Sequence, residues 1–583
     1  MRLSNILLIG ILTLATASGQ ARLPRSPGLG NDHSSNGKIA RDLNGLDPAS
    51  LVDVIVQFRQ APSQRHHEKV TARGGRLKTA FDAIPGGHYT IEARQLAELA
   101  NDPDVTHISP DRPVQGLLDY GTAAAGADTA RNAGWDGKDV GVAVLDSGIM
   151  DGLKDLKTGN STSRIVYSKS FLPNTTKTLD QYGHGTHVAG IIAGNGAWST
   201  GSYYKATFRG IAPAAKIINL RVLDLNGAGT DSAVIAAIGH AITVKSKYNI
   251  RVLNLSLGRP VYESYTTDPL CQAVESAWRA GIVVVVAAGN EGRNNTAGTN
   301  GYGTISSPGN DPYAITVGAM KTNQTQSRTD DTIASYSAKG PTLIDHIVKP
   351  DLVAPGNRIV SILANTSSLS TKSSVNLVPY SYYSTSTSSN LSPDYYRLSG
   401  TSMAAPMVSG AVALMLQKQP SLTPDQVKAR LMKTATKTFP SFSTATDPVT
   451  GRTFNSQYDV FTIGAGYLDV WAALNSSDLA GKPALSPTAV FDASTGHVTL
   501  RNTGQSALWG ESALWGERVV WGSFVWLSSS SALWGESALW GESALWGERT
   551  SSGFSALWSE SALWGETNTT GAESTNLLVY GEQ

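Results

Sequence analysis

The run GIVVVVAAGN, residues 281–290, carries four consecutive valines between a glycine and a small-residue end. No polar face is left, so the run reads as a strand covered on both sides. VGVAVLD (140–146), KIINLRVLD (216–224) and VLNLSLG (252–258) repeat the pattern, with helical periods between them. That alternation predicts an α/β domain over about 119–478, a parallel sheet with helices on both faces. In such sheets the working groups stand beyond the carboxyl ends of the strands, the positions of Asp146, Ser256 and Asn290.

A second stretch raises a question of its own. In RLSGTSMAAPMVSGAVALM (397–415) a glycine-bearing loop tips into an apolar helical period, with Ser402 at its first turn and Pro406 four positions on. Taken alone, Ser402 reads equally well as a helix N-cap or as a nucleophile beside the unpaired N–H groups of a helix start. A hydroxyl needs an adjacent base, and the base needs a partner that fixes its tautomer. DQYGHGTHVAGIIAG offers His184 where a loop opens a helix, and VAVLDSGI offers Asp146 at a strand end. Gly183 and Gly185 relieve crowding around His184, and Gly400 allows a close approach before Ser402. Asn290 carries an amide that, with the backbone N–H of Ser402, can hold an oxyanion.

Neighbouring polar residues have plainer readings. His187 lies on another part of the helix start and reads as a packed histidine. Asp180, in the polar loop just before His184, reads as a loop-stabilising or substrate-side carboxylate. A zinc site on His184 and His187 lacks a third ligand and the HExxH pattern. Cys271, the only cysteine, sits in the amphipathic DPLCQAVESAWRAG and reads as a buried small hydrophobe, so no intrachain disulfide forms.

VAVLDSGI, GHGTHVAG, VAAGN and SGTSMAAP, in this order, resemble the signatures of the subtilisin-like serine proteases, the subtilase or S8 family. The resemblance implies Asp146 as orienting carboxylate, His184 as general base and then acid, Ser402 as nucleophile and Asn290 as oxyanion donor. It further implies that Ser256, Leu257 and Gly258 form an edge that pairs with an extended peptide, and that Ala288 and Gly289 line the opposite wall of the specificity pocket. Main-chain pairing tolerates many side chains, so broad endopeptidase action on polypeptides is expected. No cofactor is expected. A structural calcium would lack a clear site, because NGAWSTGSYYKATFRGIAP (195–213) shows no cluster of oxygen ligands where many relatives bind one. SSPGND puts Ser306 and Ser307 near the pocket floor, where relatives often have glycine. Residues 365–394, rich in Ser, Thr and Tyr without a helical period, read as a surface insertion.

The flanks are of other kinds. Residues 1–21 show an early Arg, a short apolar core and an A-x-A pattern, which predicts a signal peptide and a secreted product with no membrane span after its removal. Residues 22–118 are expected to be a propeptide. Within them about 50–116 suits a small ferredoxin-like β-α-β-β-α-β sandwich, with strands at 52–58, 89–93 and 105–109 and a helix at 94–101. By resemblance this unit is the family's inhibitory propeptide, the chain's own intramolecular inhibitor, cut somewhere near 115–122. From 485 to 583 the chain is repetitive: SALWGE begins at 506, 512, 531, 537, 543 and 561, and nine of the thirteen tryptophans lie there. A period of six keeps Trp on one face of a strand, so a β-rich array over 506–566 is expected. A net charge of +1 and 16% charged residues, against about 25% in ordinary domains, exclude a nucleic-acid binder. The competing reading is a non-catalytic protein that binds a surface or carbohydrate through its Trp-rich repeats.

Overall fold

The structure, a computed structural model, describes residues 38–39, 43, 46–80, 85–110, 120–501 with short gaps at 160, 174, 296–298, 387, 448–450, 482 and 493–496, and residue 582. The expected signal peptide, the SALWGE array and residues 111–119 around the expected cut lie outside the described residues. Two compact units divide between Val114 and Gln115.

The first unit runs β1 (Leu51–Phe58), α1 (Gln64–Thr71), β2 (Arg76–Ala80), β3 (Gly86–Glu92), α2 (Leu96–Ala100), β4 (Val105–Pro110). Its antiparallel sheet has the order β2-β3-β1-β4, the ferredoxin-like arrangement. Alternation in LVDVIVQF turns Val54, Val56 and Phe58 to one face, where Val70, Tyr89, Ile91 and Leu99 close the core. The α1 sequence, QRHHEKVT, is nearly all polar and buries only His66 and Val70. That is why its period is faint in the sequence.

The second unit is built on β5 (Gly141–Asp146), β6 (Ile165–Ser170), α3 (His184–Ala193), β7 (Lys216–Arg221), α4 (Asp231–Tyr248), β8 (Ile250–Leu255), α5 (Pro269–Arg279), β9 (Val283–Ala287), β10 (Ile315–Lys321), β11 (Thr332–Ile333), β12 (Leu352–Pro355) and α6 (Thr401–Lys418). The sheet order is β6-β7-β5-β8-β9-β10, with β12 and the short β11 both on β10. Every pairing is parallel except β10 with β11. Helices α3 and α6 lie against one face and α4 and α5 against the other, which is why every residue of β9 is buried. Cys271 is buried on α5, and burial raises its thiol far above the range of a reactive thiolate.

Residues 365–394 are more than a surface loop. They form a helix at Ser368–Lys372 and strands at Leu377–Pro379 and Leu391–Leu398. Tyr383 of this stretch and Tyr395 just after it are buried with Phe208 in a small aromatic core, at ring separations of 5.4 Å (Phe208 to Tyr383) and 5.3 Å (Tyr383 to Tyr395). The insertion also braces the loop before α3, since the N–H groups of Ser368 and Leu369 donate to the carbonyls of Gln181 (2.9 Å) and Tyr182 (3.0 Å).

The body of this unit also continues past 478, the boundary expected from composition. Ser486 Oγ donates to Asp351 at 2.6 Å, and the same carboxylate holds the ammonium groups of Lys349 (2.7 Å) and Lys428 (3.1 Å), all fully buried. Burial would raise the Asp351 carboxyl, but the two lysines outweigh it and keep it below its ordinary value. Asp351→Ala strands two buried cations and should lower unfolding stability by about 3–5 kcal/mol, read by denaturant titration. A loss under 1 kcal/mol would show that the cluster carries no net stabilisation.

Candidate active site

Three segments converge beyond the carboxyl ends of β5, β8 and β9. Asp146 ends β5 at 1% exposure, and its oxygens lie 2.8 and 3.0 Å from His184 Nδ1. Two acceptor oxygens at one ring nitrogen place the proton on Nδ1 and leave the lone pair on Nε2. Burial alone would lower the His184 pKa, but the charge and hydrogen bond of Asp146, helped by Asp180, raise it overall. Gly185 permits this approach: a Cβ there would stand 2.2 Å from the carbonyl oxygen of Gly148 and 3.1 Å from Asp146 Oδ1.

Asp180 fixes the loop rather than the ring. It accepts the N–H groups of Gly183 (2.7 Å) and Thr186 (2.8 Å), the open donors at the start of α3, and the hydroxyl of Ser147 (2.8 Å). Ser147 in turn accepts the Gly185 N–H at 3.0 Å, so the strand end carrying Asp146 and the loop carrying His184 are tied together. Burial raises the Asp180 carboxyl against these donors. His187 points away, with Nε2 3.1 Å from the carbonyls of Ile359 and Tyr396; burial, with the nearby His184, lowers its pKa to about 3. It is a neutral packed histidine.

Ser402 stands in the first turn of α6, and the structure answers why a proline follows four residues later. Pro406 has no N–H, so the carbonyl of Ser402 has no helical partner. Ser256 supplies one: its hydroxyl donates to Ser402 O at 2.8 Å, while Ser402 Oγ donates back to Ser256 O at 3.2 Å. Asn254 and Ser409 extend the tie at 2.9 and 2.8 Å. The nucleophile candidate and the peptide-edge candidate are thus cross-linked. The hydroxyl rests on Ser256 rather than on His184, a loose geometry common in substrate-free sites.

Asn290 follows β9, and its Oδ1 accepts both the N–H (2.9 Å) and the hydroxyl (3.1 Å) of Thr401. That fixes the amide so that Nδ2 faces Gly400, where a Cβ would come within 3.3 Å at φ +148°. The role of Thr401 was missed in the sequence, although its place between Gly400 and Ser402 was the available signal. Thr401 Oγ1 also accepts the Gly289 N–H at 3.1 Å, joining Asn290, the oxyanion candidate, to Gly289, the pocket-wall candidate. Leu257 packs partly buried on the core, and Ala288 is fully buried. Between Gly258 and Gly289 stands Ser306: a Cβ on Gly289 would meet Ser306 Oγ at 2.5 Å, and one on Gly258 would meet Ser306 Cβ at 2.9 Å.

The loop 195–213 does not fit a cation. Its neighbouring carboxylate, Asp155, already accepts the Trp198 N–H and the Tyr395 hydroxyl, both at 2.8 Å, and burial raises it to about 6. Donors, not oxygen ligands, converge on it. Among the described residues no group of three or more His, Cys, Asp or Glu is placed to hold a metal.

Comparison with known proteins agrees with this geometry. The subtilase family model matches residues 137–459. Serine protease AprX of Bacillus subtilis (strain 168) is 38% identical over 409 residues, covering 67% of this chain and 84% of that protein. Subtilisin E of the same organism is 33% identical over 390 residues (66% and 84%), and an alkaline protease of Shouchella clausii 33% over 359 residues (61% and 75%). A family match over more than half the chain, joined to relatives aligned along most of their own length, leads to one conclusion: the chain belongs to the subtilase (peptidase S8) family of subtilisin-like serine proteases.

Proposed function

We propose that the protein is a secreted endopeptidase of broad specificity that cuts peptide bonds through an acyl-enzyme on Ser402. The observation that carries this reading is the buried Asp146–His184 pair at 2.8 Å, set in one frame with Ser402 and Asn290. Substrate entering along Ser256–Gly258 draws the Ser402 hydroxyl from Ser256 O to His184 Nε2, which takes its proton as the oxygen attacks the scissile carbonyl. Negative charge on the carbonyl oxygen is received by Asn290 Nδ2 and the Ser402 N–H. His184 then protonates the leaving amine, and water hydrolyses the ester by the same route in reverse. Asp146 keeps the ring in the Nδ1–H tautomer and stabilises its charge.

Residues 22–118 act as the propeptide, with the ferredoxin-like first unit as intramolecular inhibitor, and the signal segment 1–21 directs export. The test is the intact mass of the exported protein beside its Ser402→Ala variant. Loss of roughly a hundred residues beyond the signal peptide in the parent alone supports self-maturation. If neither protein is shortened, the self-processing reading falls.

Ser306 makes the pocket between Gly258 and Gly289 shallow, which favours small residues before the cut. Ser306→Gly should raise kcat/KM for a Phe at that position relative to Ala by roughly tenfold or more, since a methylene or two in such a pocket is worth about 1–3 kcal/mol. An unchanged Phe-to-Ala ratio in a matched peptide-amide series would place the pocket floor elsewhere.

A further inference from the structure

The second unit holds a single glutamyl residue from far along the chain. Glu582 is 3% exposed, although the stretch 502–581 separates it from the nearest described residue before it. One carboxylate oxygen, Oε2, and both main-chain groups are met. Its carboxylate accepts the N–H of Ser335 (2.8 Å), the hydroxyl of Ser335 (2.6 Å) and Nη2 of Arg293 (3.2 Å). Its backbone N–H donates to Asn357 Oδ1 and its carbonyl accepts from Asn357 Nδ2, both at 2.8 Å, so one side-chain amide reads the main chain as a paired strand would.

The receiving groups are built into the fold. Asn357 is 5% exposed and Ser335 2%. Arg293 is held by Ser335 Oγ (2.7 Å), by Asp447 (3.0 Å) and by the ring of Phe454, 4.7 Å away. Two buried residues, Ser335 and Asn357, and the largely covered Arg293, from three separate segments, thus recognise both the charge and the main chain of one residue, which chance contact of a passing segment does not provide. Without the occupant, the Ser335 N–H and Asn357 Nδ2 would lose these partners in a site from which water is largely excluded, and Asn357 Oδ1 would keep only the Tyr336 hydroxyl at 3.4 Å.

We propose that Arg293, Ser335 and Asn357 form a glutamyl-binding niche whose occupant is Glu582 of the same chain, so that the Trp-rich stretch is fastened to the catalytic unit at both ends. A cut within 502–581 would then leave the far fragment held by non-covalent contacts.

The test uses the full chain with Ser402→Ala, to prevent self-digestion, and adds Glu582→Ala or Glu582→Gln. Glu582→Ala should lower the thermal midpoint by roughly 5 °C, and Glu582→Gln, which keeps the shape and loses the charge, by less. A peptide of residues 575–583, TNLLVYGEQ, should restore the midpoint of the Glu582→Ala chain, while the same peptide with that Glu replaced by Ala should not. If Glu582→Ala does not accumulate as folded protein, binding of the labelled peptide to the Glu582→Gln chain decides instead. Equal midpoints for all three chains, or no discrimination between the two peptides, would overturn the proposal. Elution of the Glu582 chain at twice its mass, lost in both variants, would overturn the same-chain assignment by giving the niche to a second copy.

Discussion

Ser402→Ala should lower kcat on a chromogenic peptide by about a millionfold, the loss known for nucleophile knockouts in subtilisin and borrowed from there. The structure explains why no neighbouring hydroxyl substitutes. Ser256 Oγ is committed to the Ser402 carbonyl, and Thr401 Oγ1 is engaged by the Gly289 N–H and by Asn290. On the proposed self-maturation the variant would keep residues 22–118, so it is compared with the parent after their excision in trans. Substrate affinity should stay near that of the parent, since the proposed peptide edge and pocket walls are untouched. Retention of even 1% of parental kcat would remove Ser402 from the reaction.

Asp146→Asn should cost about ten-thousandfold in kcat, the size known for the matching change in a chymotrypsin-fold protease. The Ser147 N–H, 2.7 Å from Oδ1, holds the oxygen of the new amide, so its NH2 takes the place of Oδ2, 3.0 Å from His184 Nδ1, and as a donor there favours the proton on Nε2. The ring then has no lone pair for the Ser402 proton. The pH profile supplies a second reading of the same change. Asp146 raises the His184 pKa against burial, so its removal lowers that pKa, and the acid limb of kcat/KM moves to lower pH. An acid limb that stays in place would mean that another group controls it.

The central sheet was readable because strands buried on both faces have almost no latitude in composition: VVVVA has no other comfortable home. The four motif residues were readable for a related reason, since close approach demands glycines, and Gly183, Gly185 and Gly400 flag the places. What escaped was what depends on distant partners. The tyrosines of 365–394 have no period because they pack on Phe208 from another loop rather than along their own element. Ser486 looks like linker until Asp351, far behind it in sequence, is set beside it. The pairing of Asn357 with Glu582 joins positions that no local pattern connects.

Anyone engineering this protein for heat resistance would mark Pro406 first, as a helix breaker in the second turn of a long, mostly buried helix. The substitution would return the Ser402 carbonyl to the helix ladder and release Ser256 Oγ beside the peptide edge. A gain in helix regularity would therefore remove one of the two hydrogen bonds that tie Ser402 to Ser256, so thermostability and the proposed turnover meet at the same residue.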